Sequence, residues 1–233
     1  PGQTVAIVGA GPIGMAALLT AQFYSPGRII MVDTDESRLE TAKRFGATDI
    51  INPAKQDVKS VIDQLTDGVG VDVAIECVGV EPTFAICQQI IAPGGHIANV
   101  GVHGKSVELH LEDLWIKNIT LTTGLVNTSS TPMLLKSCCA KTIEPNKLVT
   151  HHFALSDIEE AYKFKTYDYD YNCDNYADEF YAYDDYYNCE NYKTENASAY
   201  RRETDDNSPI MLISALMLLA ATLLLLSVVA III

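Results

Sequence analysis

Short apolar runs and longer helix-forming runs alternate along residues 1–143. Gly, Pro, Asn or Asp bound the short runs, which is typical of buried strands between turns, and the longer runs favour helices. The strands are predicted at 4–8, 28–32, 49–51, 71–77, 96–100 and 119–123. The helices are predicted at about 13–24, 36–45, 57–66 and 82–91.

The predicted strands are largely apolar, as in Val-Asp-Val-Ala-Ile-Glu-Cys at 71–77 and His-Ile-Ala-Asn-Val at 96–100. Strands of this kind are typical of a parallel sheet that is covered by helices on both faces. Because strands and helices alternate, right-handed crossovers should connect neighbouring strands. We therefore predict an α/β fold, a doubly wound parallel sheet of the Rossmann type with strand order 3-2-1-4-5-6.

A glycine-rich turn at 9–14, Gly-Ala-Gly-Pro-Ile-Gly, follows the first predicted strand directly. A helix-forming run comes next, and Asp33 ends the second strand nineteen positions beyond Gly14. A strand, a Gly-x-Gly-x-x-Gly turn, a helix and an acidic residue at this spacing together predict a dinucleotide site. The alternative is a structural turn that holds no ligand.

Each residue of the turn has a physical role in this interpretation. Gly9 permits the tight change of direction, Gly11 lets the backbone approach a pyrophosphate, and Gly14 lets the helix pack closely against the sheet. Pro12 lies in the first helical turn, where its missing N–H costs little. The free amides and the positive end of the helix then face the phosphate charge.

Asp33 indicates which dinucleotide to expect. Its carboxylate can accept hydrogen bonds from both hydroxyls of the adenosine ribose, and its charge would repel a 2′-phosphate, so NAD is favoured over NADP. Arg38 weakens this preference slightly, because a nearby Arg can accommodate a 2′-phosphate. Arg38 could equally be a solvated residue at the start of a helix.

Charge is distributed unevenly along the chain. Residues 166–209 contain 3 Lys and Arg against 12 Asp and Glu, together with ten of the twelve tyrosines. The acidity therefore belongs mostly to this segment, and it argues against a nucleic-acid partner. The six cysteines form no Cys-x-x-Cys pair, and the His151-His152 doublet has no ligand partner at zinc spacing.

Six stretches together point to a family: 9–14, 33–38, 44–49, 70–79, 93–102 and 123–125. Through them, residues 1–165 resemble the cofactor-binding domain of medium-chain, zinc-type alcohol dehydrogenases, in particular NAD-dependent secondary-alcohol members. The resemblance implies hydride transfer between an alcohol and NAD as the chemistry of the family. It also implies a small-molecule dinucleotide as the ligand of this domain.

By position, the resemblance implies roles for the cofactor-binding residues. Gly11, Pro12 and Ile13 would line the pyrophosphate, and Asp33 would hold the adenosine ribose with Arg38 beside it. The nicotinamide half would be bordered by Val78, Val100, Val102, Gly124 and Leu125. Each of the three valines could equally be a core residue.

In this family the catalytic zinc and its ligands belong to a separate domain that precedes the first strand. No Cys or His occurs before Cys77 in this chain, so no position inherits a catalytic or zinc-ligand role. We therefore expect an NAD-binding portion that is inactive by itself, with its catalytic domain missing or supplied by another chain. The expected protein partner is such a chain or a second copy of this one.

Residues 144–165 resemble the segment by which the family's chain returns to its catalytic domain. The apolar side chains in it are expected to lack packing partners; these are Leu148, Phe153, Leu155 and Ile158. Residues 166–209 contain almost no aliphatic residue, so they are predicted to be a disordered Tyr/Asp/Asn-rich linker, with tyrosine modification as the alternative.

Residues 210–233 are 24 uncharged, mostly aliphatic residues. A helix of this length spans about 36 Å, which exceeds a bilayer core of about 30 Å. Arg201 and Arg202 precede the segment and no positive charge follows it. These features predict a tail-anchored membrane protein with a cytoplasmic globular domain. The alternatives to an enzyme are a non-catalytic, membrane-tethered NAD-binding module and a truncated or out-of-frame product.

Overall fold

The computed structural model describes residues 1–124, 128–149 and 151–161. Residues 1–149 belong to one compact unit and 151–161 to a second. The predicted linker 166–209 and the predicted transmembrane segment 210–233 lie outside the described residues, as does Leu125. No helix within these described ranges is long and apolar enough to cross a bilayer.

The central element is a six-stranded sheet in the order β3-β2-β1-β4-β5-β6, with every neighbouring pair parallel. The strands are β1 Thr4–Val8, β2 Arg28–Val32, β3 Asp49–Ile51, β4 Val71–Glu76, β5 Ile91–Asn99 and β6 Thr120–Thr123. Both the predicted α/β class and the predicted strand order are confirmed. After β3 the chain crosses back to form β4 on the other side of β1, so the strand order reverses between the neighbours β1 and β4.

Helices connect the strands. The α-helices of the described residues are α1 Pro12–Ala21, α2 Glu36–Arg44, α3 Val58–Leu65, α4 Glu81–Ile90, α5 Leu111–Leu114 and α6 Thr131–Cys139. Short 3-10 helices lie at Gln22–Tyr24, Trp115–Lys117, Pro145–Leu148 and Leu155–Asp157. Asp35 and Asp57 begin α2 and α3, because the Asp35 carboxylate accepts two backbone N–H groups of the first turn and the Asp57 carboxylate accepts one.

Strand β5 begins earlier than predicted. Val71 of β4 pairs with Ile91 and Val73 pairs with His96, so β5 advances five residues while β4 advances two. The three extra residues form an irregularity that contains Gly94 at a φ of +75°. The Pro-Gly-Gly sequence at 93–95 therefore makes a local bulge within the strand, where the sequence predicts a turn before it.

Two apolar layers cover the sheet. Val5 and Ile7 of β1 pack in the layer that contains α1 and α2, with Leu18 and Leu39 from those helices. Ala6 and Val8 pack in the opposite layer, which contains α3 and α4. Alternate residues of one strand thus enter different cores, which explains why β1 is apolar at every position.

The segment after α6 only partly follows the sequence expectation. Leu148 is half-buried and packs against the layer of α1 and α2, so the prediction that it lacks a partner is wrong. The short turn Pro145–Leu148 folds back onto the sheet unit and supplies this contact. Phe153, Leu155 and Ile158 are exposed by 36%, 48% and 37%, and the Phe153 ring stacks on His151 with the ring centroids 6.3 Å apart.

Candidate functional site

The predicted site residues follow the carboxyl-terminal ends of neighbouring strands. Asp33 follows β2, the turn 9–14 follows β1, Val78 follows β4 and Val102 follows β5. In sheets of this type a ligand binds beyond these strand ends, where the strand order reverses. The reversal lies between β1 and β4, so the site has a β2 side and a β5 side.

The glycine turn is tightly packed. Gly9 has a φ of +106°, a conformation that favours glycine, and its amide donates to the Val32 carbonyl at 2.7 Å. A Cβ on Gly9 would lie 2.6 Å from Cγ2 of Val78, and a Cβ on Gly14 would lie 1.7 Å from the Gly9 carbonyl oxygen. Side chains at these positions would push the turn away from the sheet and from α1.

The amino-terminal end of α1 is open to a ligand. Gly11 is its N-cap residue and makes no side-chain capping hydrogen bond, and Pro12 is the first helical residue. No acidic residue lies in the first turn, so its partial positive charge is not neutralised from within the helix. Ile13 is partly buried against the apolar layer of α1 and α2. These features fit a phosphate group.

Asp33 is half-buried and is held by two backbone amides. Ala10 N–H donates to Oδ2 at 2.6 Å, and Asp35 N–H donates to Oδ1 at 2.8 Å. The carboxylate is therefore oriented from both sides at the end of β2. Its remaining lone pairs are available for the two hydroxyls of a ribose.

Arg38 lies in the first turn of α2 and pairs with the capping residue of that helix. Its Nε is 3.6 Å from Oδ2 of Asp35. The Ser37 hydroxyl and the amides of Ser37 and Arg38 donate to Asp35, and these hydrogen bonds lower the pKa of the Asp35 carboxyl. Arg38 is thus close to the ribose side of the site, with its charge partly balanced.

The residues predicted for the nicotinamide half differ in exposure. Val78 and Val102 are exposed by 43% and 86%, and they present apolar surface beyond β4 and β5. Val100 is 4% exposed and packs in the core. Gly124 is exposed at the end of β6, with open space around the position of a Cβ. Leu125 lies outside the described residues.

Sequence reasoning assigned no role to Glu76 or His103, which adjoin this part of the site. Glu76 ends β4 and is 0% exposed, and Nε2 of His103 lies 3.7 Å from its Oε2. The sequence signal was present, because an acidic residue at the end of a buried strand needs donors close by. The donors to Glu76 are the amides of Val78 and Gly79 and the hydroxyl of Thr83, which follow it closely in sequence. The contact with His103, in contrast, comes from the loop after β5 and was not visible in the sequence.

The described residues include no group of three or more His, Cys, Asp or Glu side chains that could hold a metal ion. The zinc that the family resemblance implies therefore has no fitting ligand set in this part of the chain. Cys77 and Cys87 are buried, and burial raises the pKa of both thiols well above the ordinary range. They pack as small apolar side chains.

The sheet order, the glycine turn at a helix amino terminus and the acidic residue of the next strand define a Rossmann-type dinucleotide-binding domain. Residues 12–138, more than half of the chain, match the family model described as zinc-binding dehydrogenase. The chain therefore belongs to the zinc-binding dehydrogenase family. Its sheet unit is an NAD(P)-binding domain of the kind found in alcohol dehydrogenase-like members of that family.

Curated relatives support this assignment. The NADP-dependent isopropanol dehydrogenase of Thermoanaerobacter brockii is 38% identical over 168 residues, which cover 69% of this chain and 48% of that protein. An alcohol dehydrogenase of Cupriavidus necator is 33% identical over 172 residues, covering 69% of this chain and 45% of the relative. The chain thus spans about half the length of the curated relatives it matches.

Solved structures are similar over the same part. Zinc dependent alcohol dehydrogenase 2 from Streptococcus pneumoniae, in its apo form, is 58% identical with a TM-score of 0.69, and the match covers 72% of this chain and 49% of that one. Alcohol dehydrogenase TADH from Thermus sp. ATN1 is 29% identical with a TM-score of 0.68, covering 72% and 48%.

Proposed function

We propose that this chain binds NAD(H) at the carboxyl-terminal edge of its sheet and is the cofactor-binding portion of an alcohol dehydrogenase-like oxidoreductase. The observation that carries the proposal is the 2.6 Å hydrogen bond from Ala10 N–H to Oδ2 of Asp33. It joins the turn that suits a pyrophosphate to the carboxylate that suits an adenosine ribose. A turn with a purely structural role does not need a half-buried carboxylate at this position.

The preference for NAD over NADP rests on Asp33. Two backbone amides orient its carboxylate, and a 2′-phosphate on the ribose would lie beside that negative charge. Arg38 could offset the repulsion, but its guanidinium already lies 3.6 Å from the Asp35 carboxylate. One relative is NADP-dependent according to its name, so the preference for NAD rests on the residues of this chain alone.

The other half of the dinucleotide is expected on the β4 and β5 side. Val78 and Val102 offer exposed apolar side chains there, which suit one face of a nicotinamide ring. When bound, NAD supplies the hydride chemistry, and this chain binds and orients it. We assign no zinc-ligand role to any described residue, and the alcohol substrate is left open.

Calorimetric titration of the full 233-residue chain, kept in mild detergent because of residues 210–233, tests the binding proposal. We expect NADH to bind and NADPH to bind at least about tenfold more weakly. Asp33→Ala should abolish measurable NADH binding. Absence of NADH binding to the wild-type chain would contradict the proposal.

The oxidoreductase part of the proposal needs a second component. The chain covers 49% of the Streptococcus pneumoniae enzyme, so the remaining part of that enzyme can be co-expressed with it. We expect NADH formation that depends on added alcohol and on zinc in the mixture, and none from either component alone. If the two components form a complex that yields no NADH with any alcohol, a non-catalytic NAD-binding module becomes the better description.

A membrane-tethered NAD-binding module is the second candidate, favoured by the 24 uncharged residues at 210–233. We propose that this segment anchors the chain with its globular part on the cytoplasmic side. Flotation with phosphatidylcholine vesicles should carry the full chain upward, and deletion of 210–233 should leave it in the dense fraction. Equal behaviour of the two proteins would exclude tethering by this segment.

A further inference from the structure

The buried carboxylate of Glu76 organises the turn that follows β4. Its Oε1 accepts the amides of Val78 and Gly79 at 2.9 Å each, and the Thr83 hydroxyl at 2.6 Å. Its Oε2 accepts the Gly79 amide at 3.1 Å. A carboxylate that is 0% exposed requires such donors, because burial without them is very unfavourable. The position of Val78 therefore depends on this group.

His103 connects the loop after β5 to the same carboxylate. Its Nε2 lies 2.8 Å from Oδ1 of Asn99 and 3.7 Å from Oε2 of Glu76. Since the amide oxygen of Asn99 can only accept, Nε2 carries the proton of this hydrogen bond. The imidazole also meets the Phe84 ring edge-on, with centroids 5.8 Å apart. Three contacts thus hold the His103 ring, one each to the end of β5, to Glu76 at the end of β4 and to α4.

The backbones of the two loops are in direct contact. A Cβ on Gly79 would lie 2.3 Å from the Val102 carbonyl oxygen, and a Cβ on Gly101 would lie 2.2 Å from both Oε2 of Glu76 and the Gly79 nitrogen. The two loops therefore pack closely at Gly79 and Gly101. Val102, the residue before His103, is 86% exposed toward solvent, and the contacts of His103 restrain the loop that carries it.

We propose that His103 is a positioning residue for the nicotinamide half of the dinucleotide. The proposal rests on the NAD(H) binding proposed above. Asp33 places the adenosine ribose on the β2 side of the strand-order reversal, so the β4 and β5 loops receive the other half. By holding Val102 next to Val78, His103 pre-organises the surface for that half, and its loss would add the cost of ordering a loop to binding.

Three substitutions of His103 separate positioning from packing. His103→Leu keeps an apolar body against Phe84 and removes the donor at Nε2. His103→Gln can place its amide nitrogen near the position of Nε2, whereas His103→Asn places it near that of Nδ1. Each full-length variant is titrated with NADH and with ADP-ribose, which lacks the nicotinamide, and its thermal unfolding midpoint is measured.

We expect His103→Leu and His103→Asn to bind NADH about tenfold more weakly than wild type. Their affinity for ADP-ribose should stay unchanged although their unfolding midpoints fall by a few degrees, because the Asn99 oxygen loses its donor. His103→Gln should recover most of the NADH affinity. Wild-type NADH affinity in His103→Asn would overturn the proposal, as would an equal loss of NADH and ADP-ribose affinity with a lower midpoint. If His103→Leu does not fold, the NADH affinities of His103→Gln and His103→Asn are compared instead, and equal affinities would overturn the proposal. A wild-type chain that binds neither ligand would refute the proposed function itself.

Discussion

The amide of Ala10 donates a 2.6 Å hydrogen bond to the carboxylate of Asp33, which lies at the end of the neighbouring strand. A second link, from the Gly9 amide to the Val32 carbonyl at 2.7 Å, runs beside it. The glycine turn and the acidic residue are therefore parts of one connected structure. A change in Asp33 should alter both the charge of the ribose site and the orientation of the turn.

The charge of Asp33 should control the choice between NAD and NADP. Asp33→Asn removes the negative charge and turns one oxygen into a donor that opposes either the Ala10 or the Asp35 amide. We expect NADH affinity to fall roughly tenfold to a hundredfold, and NADPH affinity to fall less, so that the affinity ratio shifts toward NADPH. Calorimetric titration with both dinucleotides measures this ratio.

Asp72 provides a control for Asp33, because it lies at the amino-terminal ends of the strands, away from the proposed site. Its half-buried carboxylate accepts the Thr4 amide at 2.7 Å, as Asp33 accepts the Ala10 amide. Asp72→Asn should lower the stability of the chain without changing the NADH to NADPH affinity ratio. A similar shift of that ratio in both variants would show that the effect of Asp33→Asn is a general loss of stability.

Gly14 should tolerate no side chain. A Cβ there would lie 1.7 Å from the Gly9 carbonyl oxygen, which belongs to the backbone of the turn between β1 and α1 and so cannot move aside as a flexible side chain could. We expect Gly14→Ala to lower the free energy of unfolding by about 3 kcal/mol. Gly124→Ala is the control, since a Cβ at that position meets nothing within 4 Å. Urea unfolding of the two variants makes the comparison, and equal stability would contradict the packing of the turn.

The cap of α2 should contribute stability that depends on pH. Hydrogen bonds from Ser37 and Arg38 hold the pKa of Asp35 below its ordinary value of 3.8 in the folded chain. A lowered folded pKa means that the contribution is present above pH 3.8 and is lost as the pH falls through the folded value. Asp35→Ala should therefore cost about 1 kcal/mol at pH 7 and almost nothing below the folded pKa.

Asp57 is the control for Asp35, because it caps α3 in the same way as Asp35 caps α2 and lies outside the proposed site. Its Oδ1 accepts the Ser60 amide at 2.8 Å. Hydrogen bonds from Ser60 lower its pKa as well. Asp57→Ala should destabilise the chain with the same pH trend and leave NADH affinity unchanged. Asp35→Ala should also weaken NADH binding, since Asp35 adjoins Asp33 and pairs with Arg38. Equal NADH affinity in the two variants would contradict this difference.

Cysteine reactivity should report the burial of the sheet unit. Burial raises the pKa of Cys77 and Cys87, so neither thiol forms a reactive thiolate at neutral pH. Treatment of the folded chain with iodoacetamide should leave both unlabelled while the exposed Cys139 is modified. Peptide mapping by mass spectrometry measures the labelling, and unfolding in urea should make all three reactive. Rapid labelling of Cys87 in the folded chain would show that α4 opens readily.

Much of the fold followed from local pattern. The structure places β1 to β3 and α1 to α4 close to their predicted positions. Each of these elements has a clear pattern of apolar residues, with turn or cap residues at its ends. The start of β5 was missed because the Pro-Gly-Gly sequence at 93–95 is a turn signal, yet it lies within a bulged strand. The partner of Leu148 was missed because it depends on how the chain folds back.

The sequence by itself determined the order of the elements, the glycine turn and the acidic residue of the next strand, since these are encoded within about thirty residues of one βαβ unit. Only the tertiary structure decided that Ala10 holds Asp33, that Val100 is a core residue while Val78 and Val102 are exposed, and that Glu76 meets His103. The physical reason is that parallel pairing brings strand ends together that are far apart in sequence. The pairing of Glu76 with Asn99 at the ends of β4 and β5 brings the loop that carries His103 beside Glu76, although the two lie far apart in sequence.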